Sequence, residues 1–104
     1  MKLMTKEILE KIPALYTNEE KNEGEIRIFA KFFHPFSSWT WYATEYDPEQ
    51  ELCFGLVDGH DVELGYFSLA EMKEVKIMGC GIERDLHWDD TKTLADVQSV
   101  IRLR

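Results

Sequence analysis

Apolar side chains occupy every second position from Ile26 to Phe32, with Arg27 and Lys31 between them. That period of two predicts a strand over Glu25–Phe33 with one buried face and one partly wet face. Pro35 and "FSS" end it, and "WTWYATEY" begins a second strand rich in aromatic and β-branched residues. Trp39, Trp41 and Ala43 fall on one of its faces, and Thr40, Tyr42, Thr44 and Tyr46 on the other. "DPEQ" supplies turn chemistry, with a proline pre-setting φ after an Asp that can bond the following backbone. "ELCFGLV" is almost continuously apolar, the pattern of a strand covered on both faces. "DGHD" makes a short connection, and "VELGYF" (Val62–Phe67) resumes strand character. Strands in succession joined by short polar turns predict an antiparallel meander.

Helical spacing brackets this sheet. Thr5 is a predicted N-cap for a short helix carrying Ile8, Leu9 and Ile12, and Pro13 stops it. "YTNEEKNEG" (Tyr16–Gly24) is polar and unpatterned, which predicts a solvated, mobile loop. Ser68 and Glu71 stand in capping-box relation ahead of Leu69, Met72 and Val75, and "GCG" terminates that segment. From Ile82 to Trp88 the pattern alternates again, predicting a last strand near an edge. Thr93 and Asp96 repeat the capping signal before Leu94, Val97, Val100 and Ile101. The expected class is α+β: an antiparallel meander sheet of about four to five strands, with two to three short helices packed on one face. A second core would need about another 50 residues, so residues 1–104 are expected to form one domain.

Charge changes the picture more than size does. The chain holds 12 basic and 20 acidic residues, a net charge of −8. The two signs balance over residues 1–31, no charge falls in 32–44, and 45–90 hold thirteen acids against Lys73, Lys76 and Arg84. Direct binding to nucleic acid is disfavoured, because that affinity comes from Lys and Arg neutralising phosphates. No apolar run approaches a membrane span and none has signal-peptide length, so the expected setting is cytoplasmic with no membrane partner. Cys53 and Cys80 lack the spacing of a redox pair or zinc site and read as structural thiols.

Two stretches concentrate chemistry-bearing side chains. Asp58, His60, Asp61 and Glu63 offer oxygen donors and an imidazole for a metal, although their spacing matches no calcium, zinc or paired-metal motif, and a hairpin corner with hydrated acids explains them better. In "ERDLHW", Glu83, Asp85 and His87 at strand spacing would line one face as acid, base or ligands, while Arg84 is expected to pair with a carboxylate. The serines stand in no nucleophile context, and no phosphate-binding glycine loop is present. Trp39, Trp41, Tyr42 and Tyr46 lack the basic companions of a base-stacking surface and read as packing residues.

In their order and spacing, "WTWYATEYDPEQELCFGLVDG", "ELGYFSLAEM" and "GIERDLHW" resemble a small bacterial family catalogued as domain of unknown function number 2958, over roughly residues 30–90. The connection "VDGHDV" is shorter than the one that family usually carries. The resemblance implies genes carried on plasmids, transposons and phages, and it implies no activity. The resulting expectation is a non-enzymatic acidic interaction protein without a cofactor. Glu45, Asp47, Glu49, Glu51, Asp58, Asp61 and Glu63 would imitate phosphates toward a protein partner with a basic nucleic-acid-binding cleft, in an accessory or anti-defence role. The alternative is a metal-dependent hydrolase or nuclease built on the hairpin acids, Glu83, Asp85 and His87. A third is self-association along the Ile82–Trp88 edge.

Overall fold

In the computed structural model, which describes all residues from Met1 to Arg104, the patterned segments form a five-stranded antiparallel sheet. Its strands are β1 (Ala30–Phe33), β2 (Thr40–Asp47), β3 (Leu52–Asp58), β4 (Val62–Ser68) and β5 (Glu83–Arg84). The order across the sheet is β4-β3-β2-β1-β5. Four strands follow one another as the expected meander, and β5 returns beside β1, setting Arg84 opposite Phe32 and Glu83 opposite Phe33. The edges are therefore β4 and β5.

Three short helices complete the α+β fold: α1 (Lys6–Lys11), α2 (Leu69–Met72) and α3 (Leu94–Arg102). Their starts follow the capping signals. The Thr5 hydroxyl accepts the Ile8 N–H, and the Ser68 hydroxyl accepts that of Glu71. At α3 the full reciprocal box forms, with Thr93 Oγ1 accepting the Asp96 N–H and Asp96 Oδ2 accepting the Thr93 N–H. Those bonds from Thr93, backbone first and hydroxyl second, hold the Asp96 carboxyl below the usual range.

The helices do not share one face, contrary to the simplest reading of their stripes. Leu69 and Met72 of α2, with Leu3 and Ile12, pack with Phe32, Ala43, Cys53 and Phe67. Leu94 and Val97 of α3 pack on the opposite face with Ile26, Ile28, Tyr42 and Leu56. Covering both faces is what the continuous apolar run of β3 requires. The face assignment of β2 also changes along its length. Ala43 pairs with Gly55 but Glu45 pairs with Phe54, so Thr44 is an extra residue in a β-bulge. The bulge inverts the alternation beyond it. Tyr46 consequently joins the α2 side while Tyr42 lies under α3.

Two predicted strands are shorter than expected. Residues Ile26–Ile28 leave the sheet and run beside the segment that opens α3. There the Ile28 N–H donates to Lys92 O and the Leu94 N–H donates to Ile26 O, both at 2.9 Å. The detour sets Ile26 and Ile28 beneath α3. After Arg84 the chain turns at once, because the Asp85 carboxylate accepts the His87 N–H at 2.9 Å. The Trp88 indole then donates to Ile28 O at 2.8 Å. Arg84 pairs with no carboxylate and donates to the carbonyls of Lys2 and Leu3. "GCG" serves a tight turn rather than a helix cap. Ile77 and Cys80 exchange backbone bonds across Met78 and Gly79, whose φ values are 54° and 81°.

Burial of Cys53, which is fully enclosed, pushes its thiol from the ordinary 9.0 up to about 12. Burial also raises Tyr42 and Tyr46. Above pH 9 the unfolded chain gives up these protons more readily than the native one, so stability falls with rising pH between about 9 and 12. Cys53 alone contributes a loss on the order of 4 kcal/mol at the top of that window. Urea midpoints measured across the window should drop, with a shallower slope in Cys53→Ala. A midpoint that stays level would contradict this account of the core.

Candidate binding cleft beside an open sheet edge

The segment read as a solvated loop folds back onto the α3 face of the sheet. It encloses a cleft of about 320 Å³ with Phe54, Leu64 and Tyr66 of the sheet and Leu94 of α3 as apolar walls. One side chain fixes this arrangement. Glu45, only 4% exposed, sits on the α3 side of β2 next to the bulge. Its Oε1 accepts the Tyr16 N–H at 2.9 Å and its Oε2 accepts the Asn18 N–H at 2.7 Å. The tie spans 29 residues and holds Tyr16 at φ 72°, a left-handed conformation that an aromatic residue rarely adopts.

Aromatic rings frame the mouth. Tyr66 lies edge-on to Phe54 with centroids 5.0 Å apart, and Tyr16 is 60% exposed. The neighbouring Tyr16 hydroxyl first, then burial, and then the charges of Tyr16, Glu45 and Glu19 raise the Tyr66 phenol above its usual range. Glu19, Glu23 and Lys21 complete the rim. With its nitrogen turned toward the rim, the Gln98 amide donates to Glu23 Oε2 at 2.6 Å.

The cleft borders β4, whose far side has no neighbouring strand. Val62, Leu64 and Tyr66 share the α3 side of that strand by their pairing with Asp58, Leu56 and Phe54, and they are 41%, 46% and 51% exposed. A flat, unpaired strand with an uncovered apolar row is a template for pairing with another chain.

The acids expected to form a contact surface separate into different environments. Glu45 and Asp58 are buried, which corrects their place in a hydrated array. Asp58 is gripped by Arg104, with Nη2 donating to Oδ1 at 3.0 Å and Nη1 lying 2.9 Å from Oδ2. That bond raises the Arg104 guanidinium further above its ordinary value. Asp47 accepts from the Glu49 N–H and the Gln50 amide within its own turn, and Glu51 pairs with Lys73. Glu49, Asp61 and Glu63 remain exposed.

The two alternative site clusters do not assemble. Glu63 projects from the face opposite to Asp58, because it pairs with Val57. His60 packs edge-on against Trp39, with centroids 5.4 Å apart. Glu83 lies on β5, while Asp85 is engaged in a turn and His87 points into solvent beyond it. Nowhere do three His, Cys, Asp or Glu side chains gather in a way that could hold a metal ion. The corner itself is shaped by Trp39. A Cβ on Gly59 would lie 2.5 Å from its ring, so a larger residue there would have to displace the indole.

Residues 3–102 match the family described as "Protein of unknown function (DUF2958)". The chain belongs to that family. The match reaches beyond the central strands to include all of α1 and α3, so both walls of the fold lie within the family pattern. No curated protein and no solved structure matches the chain. No helix of this family member is long and apolar enough to cross a membrane.

Proposed function

We propose that the domain is a non-enzymatic acidic interaction module that receives a basic protein partner along β4 and the adjoining cleft. The observation that carries this reading is the open β4 edge, with Val62, Leu64 and Tyr66 exposed in a row beside a rim holding Glu19 and Glu23. An incoming extended segment would gain backbone hydrogen bonds from the edge and specificity from alternate side chains. The net charge of −8 would speed encounter with a cationic partner and oppose pairing with a second copy. On the other face of β4, exposed Glu63 offers a counter-charge to a basic side chain of that segment. In the mobile-element setting that the family resemblance implies, the corresponding role is accessory or anti-defence, with competition for a basic nucleic-acid-binding surface. The hydrolase alternative draws no comparable support from the separated positions of Glu83, Asp85, His87 and the hairpin acids.

The test uses alternating Arg-Val and Glu-Val peptides matched to the seven residues of β4. Amide shifts of the protein are followed by NMR during each titration. The Arg-Val peptide is expected to perturb Val62–Ser68 and to bind at least about tenfold more tightly than the Glu-Val peptide, with affinity falling as salt is raised. Equal binding of both peptides, or perturbations that avoid β4, would defeat the proposal.

A further inference from the structure

Glu45 is a buried carboxylate without a counter-ion. No Lys, Arg or His nitrogen lies within 4.0 Å of it, and its two hydrogen bonds come from neutral backbone N–H groups. Two such bonds use one lone-pair position on each oxygen and leave further acceptor capacity. Taking a carboxylate out of water is costly unless a positive charge accompanies it. This carboxylate borders the cleft, whose mouth carries the rings of Tyr16, Phe54 and Tyr66 and whose rim adds Glu19 and Glu23.

We propose that the cleft is a receptor for a guanidinium group, seated against the tyrosine rings and compensating the buried charge of Glu45. Three features select this chemistry. Aromatic faces attract cations through their quadrupole, and a planar, weakly hydrated guanidinium stacks on them better than a compact ammonium does. The carboxylates lie on the same side of the sheet as the rings, so one ligand meets both. The apolar walls from Leu64 and Leu94 suit the methylene stem that carries an arginine head. The partner's arginine is the natural source, and in that respect the inference rests on the interaction reading. Lys21 is the one basic residue lining the cleft, and its charge opposes the ligand.

The experiment titrates the full chain at low salt with ethylguanidinium, its neutral analogue ethylurea, and tetramethylammonium, following the Tyr16, Phe54 and Tyr66 ring signals and the Asn18 amide by NMR. Saturable shifts with ethylguanidinium alone are expected. Tyr66→Leu should weaken its binding roughly fivefold, and Lys21→Met should strengthen it. Glu45→Gln should abolish it, but that variant can also release the loop, so Glu19→Gln serves as a second charge test with the Glu45 tie intact. Equal response to ethylurea, no saturable response, or preference for tetramethylammonium would overturn the assignment. Binding of ethylguanidinium without binding of the Arg-Val peptide to β4 would sink the edge reading and leave the cleft standing. Peptide binding at β4 with no guanidinium response would do the reverse.

Discussion

Gly55→Ala is expected to remove a large share of the domain's stability. A Cβ at this position would stand 1.8 Å from the Tyr42 carbonyl oxygen, 2.9 Å from its carbonyl carbon and 3.2 Å from Ala43 Cα. All three atoms belong to the backbone of β2, so no side-chain rotation relieves the overlap. Only separation of β2 and β3, the central pair of the meander, can make room. Overpacking that displaces backbone at such a site costs about 3 kcal/mol or more. Small domains hold only about 5–15 kcal/mol in total. The control is its cross-strand partner. Gly65 lies opposite Gly55, and a Cβ there meets nothing within 4 Å. Gly65→Ala should therefore change stability by less than about 1 kcal/mol. Urea unfolding of both variants by circular dichroism checks the pair. A folded Gly55→Ala with a near-normal midpoint would mean that the two strands are not held at the spacing described.

The second large effect is expected at Glu45. Replacing it with alanine removes both acceptors that tie the Tyr16–Glu23 segment to the sheet, leaving the Tyr16 and Asn18 N–H groups without partners. Each lost bond to a charged acceptor is worth roughly 1.5–3 kcal/mol. Part of that loss is regained when the loop opens to water, so a net destabilisation of about 3 kcal/mol is expected. The effect should also be local. Without the tie nothing maintains the left-handed Tyr16, and amide exchange over residues 16–23 should accelerate while β3 retains its protection. Glu45→Gln, which keeps an oxygen acceptor for one of the two donors, should fall between the wild type and alanine. Unchanged exchange in the loop of Glu45→Ala would show that the segment is held by other contacts.

Gly55 and Glu45 differ in how much of their setting the local pattern carries. Gly55 lies in a strand that its own apolar run announces, and the strands, their succession and the cap residues all follow from such periodicity, as Ser68, Thr93 and the β3 run demonstrate. The setting of Glu45 depends on the β-bulge at Thr44, which is not legible in the sequence. One inserted residue leaves no compositional mark while it exchanges the faces of everything beyond it. Tyr46 and Glu45 lie on unexpected sides of the sheet for that reason. The fold of the loop from Tyr16 is equally hidden, because a polar, unpatterned segment reads as solvated whether or not its backbone N–H groups find a buried acceptor. A lone glutamate inside an aromatic strand is the available signal. It marks a buried acid that must be satisfied by some remote segment.

By itself the sequence determined the class of fold, the meander, the helix starts and the negative charge. Those depend on side-chain period and on counting, which are properties of neighbouring residues along the chain. Only the tertiary structure decided which acids face water, that the two proposed chemical clusters stay apart, and that a remote loop and the α3 face of the sheet enclose a cleft. Those depend on contacts between residues far apart in the chain, and one bulge and one buried carboxylate were enough to redirect them.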